Sequence, residues 1–263
     1  MRSVAVPTFI YGTAWKEEST ETYVAAALDA GFRAIDTANQ RKHYNEEGVG
    51  RGIASRGIPR DELFLQTKFT FRDGQDHRLP YDPEASIGDQ VRQSFVSSLG
   101  HLGVARIDSI ILHGPSQRDG LAIADRDAWR AMEQLPVPYI GISNVSARQV
   151  FEICEMARKP PAFVQNRCYA DRGWDREVRE VCKANGIVYQ AFSLLTANRN
   201  ALARAPIREI AARHKKTTAQ VAFRFAQQLG ILPLTGTRDP AHMREDLALD
   251  FTLDNRELAT IEG

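Results

Sequence analysis

Three cysteines in 263 residues are too few and too scattered to organise a fold. Cys154, Cys168 and Cys182 make no CxxC pair and no Cys/His ligand spacing. That excludes a disulfide framework and a structural zinc site and leaves them as core thiols of a reducing cytoplasm. Charge of one sign is also missing. Lys and Arg number 34 against 33 Asp and Glu, a formal net charge of +1, so no broad field draws in nucleic acid or an anionic membrane. No apolar run is long enough to span a bilayer, and the opening Met1-Arg2-Ser3-Val4-Ala5-Val6-Pro7-Thr8 is too poor in apolar residues for a signal peptide. A soluble, cytoplasmic protein acting on a small molecule is expected. The first strand is not followed by Gly-x-Gly-x-x-Gly, so any dinucleotide is held without a Rossmann turn.

What is present is a regular alternation. With 43% hydrophobic residues the chain has enough apolar material for a full core, and no repeat, low-complexity tract or linker divides it. Strand-like runs lie near Phe9–Thr13, Arg33–Thr37, Leu63–Phe69, Ile107–His113, Tyr139–Ser143, Phe163–Arg167, Ile187–Ser193 and Ile231–Gly236. Between them, apolar stripes recur at helical spacing: Val91, Phe95, Val96, Leu99 and Leu102; Val150, Phe151, Cys154 and Ala157; Val221, Ala222, Phe225 and Leu229. Ser146 with Gln149 and Thr217 with Gln220 have capping-box spacing, Asp239-Pro240 is a helix start, and Gly31, Gly186 and Gly230 are stops placed just before strands. The economical reading is an α/β fold, a single-domain (β/α)8 TIM barrel over residues 1–263. The irregular stretch Arg72–Pro83, rich in Asp, Gly, Arg and Pro, is expected to be a rim loop.

Three of these strands end on ionisable residues: Asp36, Lys68 and His113. Parallel barrels keep their chemistry at the rim where strands end, so an acid, an amine and an imidazole meet there. Tyr44 follows on the loop after Asp36 and adds a phenol. Hydride delivered to a carbonyl carbon leaves charge on oxygen, which a nearby acid must quench. Tyr44 is the candidate acid, Lys68 the ammonium expected to lower its pKa from ~10, Asp36 the carboxylate that holds Lys68, and His113 the group that orients the carbonyl. His43 is the fallback donor. Singly each residue has a structural alternative, as a cap, a surface charge or a hydrogen-bonded core group.

The motifs now form a series. Gly31-Phe32-Arg33-Ala34-Ile35-Asp36-Thr37-Ala38, Tyr44-Asn45-Glu46-Glu47-Gly48-Val49-Gly50, Leu63-Phe64-Leu65-Gln66-Thr67-Lys68, Ile111-Leu112-His113, Gly141-Ile142-Ser143-Asn144, Phe163-Val164-Gln165-Asn166 and Ala191-Phe192-Ser193-Leu194-Leu195 occur in the order found in aldo-keto reductases. From about Pro7 onward the chain resembles that family. The resemblance implies NADPH-dependent reduction of an aldehyde or ketone, reversible to alcohol oxidation, by a monomer, with NADH also possible. It assigns the same four roles to Asp36, Tyr44, Lys68 and His113. In the family the tyrosine follows the aspartate after a shorter loop and stands one residue before Asn-Glu. Here Asn39-Gln40-Arg41-Lys42-His43 intervenes and Tyr44 abuts Asn45.

The resemblance further implies that Ser143, Asn144 and Gln165 hold the nicotinamide amide, that Phe192 stacks on its ring where the family has tyrosine, and that Ser193, Leu194 and Leu195 meet the pyrophosphate. Gly12 and Thr13 would approach the ribose, and Leu234, Thr235, Gly236, Thr237, Arg238, His242 and Asp246 the adenosine end. Leu234, His242 and Asp246 stand where the family has lysine, arginine and asparagine, with Arg238 as a replacement cation. Trp15 matches the pocket tryptophan and Trp174 is a second candidate. Two other classes are a non-catalytic nucleotide-binding homologue, acting as redox sensor or partner subunit, and a hydrolase pairing Asp36 with Glu46.

Overall fold

The computed structural model describes residues 5–263; Met1 to Val4, where the N-terminal reading begins, lie outside the described residues. Eight short strands close into a barrel in chain order, each parallel to the next and the last to the first. They are β1 (Ile10–Gly12), β2 (Ala34–Asp36), β3 (Phe64–Phe69), β4 (Ser109–Leu112), β5 (Tyr139–Ser143), β6 (Phe163–Arg167), β7 (Val188–Phe192) and β8 (Leu232–Thr235). The α-helices are α1 (Thr20–Ala30), α2 (Glu46–Ala54), α3 (Ile87–Leu102), α4 (Ile123–Met132), α5 (Ala147–Met156), α6 (Arg176–Ala184), α7 (Arg199–Leu202), α8 (Ala205–His214), α9 (Thr218–Gln228), α10 (Pro240–Leu247) and α11 (Asn255–Glu262). The expected (β/α)8 barrel is the observed one.

Side chains of a strand alternate between faces, and in a closed barrel the two faces are interior and helix layer. Ile35, Leu65, Ile110, Ile140, Val164 and Tyr189 point outward into the main core beneath the helices. Ile10, Ala34, Phe64, Ile111, Phe163, Leu232 and Leu234 form a separate cluster inside the barrel. Two residues further along the same inward rows come Asp36, Gln66, Gln165 and Gln190, a polar layer above the apolar plug. Gln66 and Gln190 exchange side-chain hydrogen bonds of 2.9 and 3.1 Å, and Gln165 Nε2 donates to Gln190 Oε1 at 2.9 Å. One step higher the rows arrive at Lys68, His113, Arg167 and Phe192. Gly141 on β5 has no room for more: a Cβ there would lie 2.5 Å from Ile111 Cδ1 and 2.5 Å from the Phe163 carbonyl.

The helix signals resolve as read. Ser146 and Thr217 cap α5 and α9 in reciprocal boxes with Gln149 and Gln220, and Asp239 caps α10 with Pro240 in its first turn. Gly31, Gly186 and Gly230 take left-handed φ of 113°, 66° and 75° just before strands. Two stripe members are corrected. Val96 and Phe151 are exposed at 66% and 56%, because each follows a core residue by one position and is turned about 100° away from it. Cys168 and Cys182 are buried thiols, whereas Cys154 is only half-buried.

Candidate active site

The mouth of the barrel holds a cavity of about 590 Å³, lined among others by Gly12, Trp15, Asp36, Tyr44, His113, Ser143, Asn144, Gln165 and Phe192. Lys68, 1% exposed, rises from β3 beneath it. Its ammonium donates to both Asp36 carboxylate oxygens at 2.6 Å and to the Thr37 carbonyl at 2.8 Å. Asp36 Oδ1 also accepts from Gln66 Nε2 at 2.8 Å and Gln165 Nε2 at 3.1 Å, so the polar layer fixes the carboxylate from below. Burial pulls the Lys68 pKa down while Asp36 pulls it back.

Tyr44 meets Lys68 through its ring, the Nζ lying 5.4 Å from the centroid, and its ring stands edge-on to His113 at 5.9 Å. The expected lowering of the phenol pKa is reversed. Burial pushes it up, Asp36 adds to the rise, and the Lys68 charge is already taken up by the carboxylate. The phenol therefore keeps its proton at neutral pH. His113 is held neutral, its pKa driven down to about 3 by burial and then by the Lys68 and His43 charges. Its Nδ1 lies 2.7 Å from Thr70 Oγ1; with Thr70 donating there, Nε2 carries the ring proton.

The segment before Tyr44 is pinned on both sides. Asn39 donates to the Ser94 carbonyl at 2.8 Å and Gln40 to the Gly74 carbonyl at 2.6 Å. The Arg72–Pro83 loop packs behind this segment, with Gln75 donating to the Asn39 carbonyl at 2.8 Å, and does not line the cavity. Arg41 pairs with Glu47 and lies 3.0 Å from His101 Nε2. His101 Nδ1 lies 3.1 Å from buried Glu46, which also accepts from Thr67 at 2.5 Å and Ser98 at 3.0 Å. Glu46 is thus spent on a structural cluster outside the cavity, which removes the paired-carboxylate hydrolase.

Along the opposite wall, Ser143 Oγ donates to the Gln165 carbonyl at 2.6 Å, and Asn144 Nδ2 donates to the His113 carbonyl at 2.8 Å. Asn144 and Ser193 hold left-handed φ of 58° each, turning the chain at the ends of β5 and β7. Leu194, Leu195, Leu234, Thr235, Gly236 and Thr237 complete this side of the cavity.

Besides Lys68, which lies beneath the cavity, five positions of the sequence reading lie off the wall. Thr13 is buried and donates to the Asp36 carbonyl at 3.0 Å. Arg238 donates to the Trp15 carbonyl, and His242 is exposed beside Asp239 at 3.9 Å. Asp246 sits behind β8, accepting from Thr235 Oγ1 at 2.8 Å, with burial raising its pKa to about 6. Trp174 is a core residue, 1% exposed and 5.0 Å from the Phe225 ring, because its left-handed turn tucks it under α9. Trp15, by contrast, is 57% exposed at the rim and stacks on His43 at 3.7 Å.

Sequence reasoning missed Lys16. It is 3% exposed, donates to the Gly236 carbonyl at 2.9 Å, and has no carboxylate partner among the described residues. Burial and then Arg238 lower its pKa to about 8. Arg167, Thr196 and Phe223 also line the cavity unforeseen. The period-2 inward row was the signal for Arg167, two residues beyond Gln165; nothing in sequence marks Lys16, whose burial depends on the β8 turn.

Comparison with known proteins agrees with this architecture. The sequence profile of the Aldo/keto reductase family matches residues 8–263. An aldo-keto reductase of Mycobacterium sp. (strain MCS) is 32% identical over 252 residues, covering 94% of this chain and 82% of the relative. Glyoxal reductase of Bacillus subtilis is 30% identical over 251 residues, covering 94% and 83%. The crystal structure of MGS-M4, an aldo-keto reductase from a Medee basin deep-sea metagenome library, superposes with a TM-score of 0.84 at 28% identity, covering 98% of this chain and 90% of that one. A barrel with these rim residues in this order, matched along nearly its whole length, makes the chain a member of the aldo/keto reductase family.

Proposed function

We propose that the protein reduces an aldehyde or ketone to the alcohol with NADPH, using Tyr44 as general acid assisted by Lys68, Asp36 and His113. The carrying observation is the Lys68–Asp36 pair, buried directly under a cavity that Tyr44 and His113 both line. The residues present fit a dinucleotide. Asn144 Oδ1 and Gln165 Oε1 accept no hydrogen bond from within the described residues, which leaves two amide acceptors on the wall. Phe192 offers an aromatic face there, and Lys16 brings an ammonium without a carboxylate to the β8 turn, where a phosphate would satisfy it.

Bound nicotinamide supplies the hydride. The chain supplies the rest. His113 Nε2 donates to the carbonyl oxygen and sets its direction, and as a neutral imidazole it does not compete as the acid. Tyr44 releases its proton only as charge builds on that oxygen, since a developing alkoxide is a stronger base than a phenolate. Lys68, held by Asp36, then stabilises the phenolate left behind. Leu234 and Asp246 remove part of the expected 2′-phosphate clamp, so NADPH preference rests on Lys16 and Arg238 and NADH is accepted as well. Loss of NADPH absorbance with a simple aldehyde tests the proposal. Tight nucleotide binding without turnover would instead favour the non-catalytic homologue.

A further inference from the structure

On the inner face of the barrel mouth one full charge has no opposite. β6 turns Phe163, Gln165 and Arg167 inward in succession, from the apolar plug through the glutamine layer to the rim. Arg167, exposed at the rim end of β6, lines the same cavity as Tyr44 and His113, its Cζ 5.6 Å from the centroid of Phe192. No carboxylate pairs with it among the described residues, and its guanidinium meets only the Phe192 ring there. Asp36 is neutralised by Lys68, and His113 is an uncharged imidazole, so Arg167 sets the sign of the cavity. A guanidinium at the open rim of a cavity, with no carboxylate of its own, favours a planar oxyanion.

Of the three cations near the mouth only Arg167 lines the cavity; the other two lie behind its wall on a different side. Lys16 and Arg238 stand at the β8 turn, whereas Arg167 stands on β6, beyond Phe192. The phosphates of a dinucleotide are served by the pair at the β8 turn. We propose that Arg167 receives a carboxylate of the substrate, so that the preferred substrates are aldehydes or ketones that carry an acid group. This deepens the reductase reading and rests on it.

The test compares 4-carboxybenzaldehyde with its methyl ester in wild type, Arg167→Gln and Arg167→Lys. Wild type should show a KM for the acid about tenfold below that for the ester, lost in Arg167→Gln and partly restored in Arg167→Lys, with the ester KM and the NADPH Kd within about twofold throughout. Equal effects on acid and ester, or none, would overturn the assignment. A weakened NADPH Kd with unchanged acid-to-ester ratio would also overturn it, placing a cofactor phosphate at Arg167. If wild type oxidises no NADPH, the reductase reading fails on its own, and calorimetry with the redox-inert terephthalate decides the anion site. Tighter binding by ligand-free wild type than by Arg167→Gln supports it, and no difference rejects it.

Discussion

The two ends of the cavity are built differently. Around β2, β3 and β4 every charge is matched: Lys68 meets three oxygens, Asp36 is fixed by Lys68, Gln66 and Gln165, and His113 leans on Thr70. At the β8 turn the balance is open. Lys16 has a carbonyl and the Tyr11 and Tyr23 rings but no carboxylate among the described residues, Arg238 is drawn to the Trp15 backbone, and Asp246 is a carboxyl held behind Thr235. A wired end suits chemistry, whose geometry must be ready beforehand, and an open end suits binding, in which the ligand completes the charge balance.

The largest effect expected at the wired end is from Tyr44→Phe. Turnover should fall by about 10²–10⁴ while the nucleotide Kd, read by fluorescence quenching, moves less than about twofold. Near-normal kcat in that variant would reject Tyr44 as the donor and direct attention to His43. Lys68→Met should be nearly as severe for kcat. It strands the Asp36 carboxylate, so chemical denaturation should also show a loss of about 3–5 kcal/mol.

The open end should respond in affinity instead. Lys16→Met is expected to weaken NADPH binding by about tenfold with little change in kcat. Because the ammonium titrates at about 8, wild-type affinity should fall as pH rises through that value, and the variant should lose this dependence. A flat wild-type profile would remove Lys16 from the phosphate site. Smallest is Asp246→Asn. A carboxyl whose folded pKa is raised to about 6 is best tolerated protonated, so its penalty appears as pH rises from about 4 through 6. The variant should melt a few degrees higher at pH 7, match wild type near pH 4, and shift preference a few-fold from NADH toward NADPH.

Much of the wired end was legible beforehand, because Asp36, Lys68 and His113 terminate apolar runs and a strand's direction is written in such runs. The capping boxes at Ser146 and Thr217 were legible for the same reason: their signal is local. Gln66 and Gln190 were passed over although each lies two residues before a rim residue, Lys68 and Phe192, on an inward row. The open end resisted prediction because its charges are set by loops from opposite termini. Lys16 is buried by Gly236, 220 residues away in sequence, and no periodicity carries that contact. The phenol's acidity failed differently. Proximity to an ammonium was anticipated, but not that burial and the carboxylate beside it would outweigh the attraction.

The cluster of Glu46, His101, Arg41 and Glu47 bears on how the loop that carries Tyr44 is held. It staples the start of α2 to α3 and to β3 next to Lys68, while Asn39 and Gln40 are tied at the other end of the segment before Tyr44. A segment secured at either boundary can gain length outward, as slack in a rope tied at two posts, without displacing what hangs from the second post. A change of length between the two ties would alter the shape of the rim, and so the molecules it admits, while Tyr44 keeps its station.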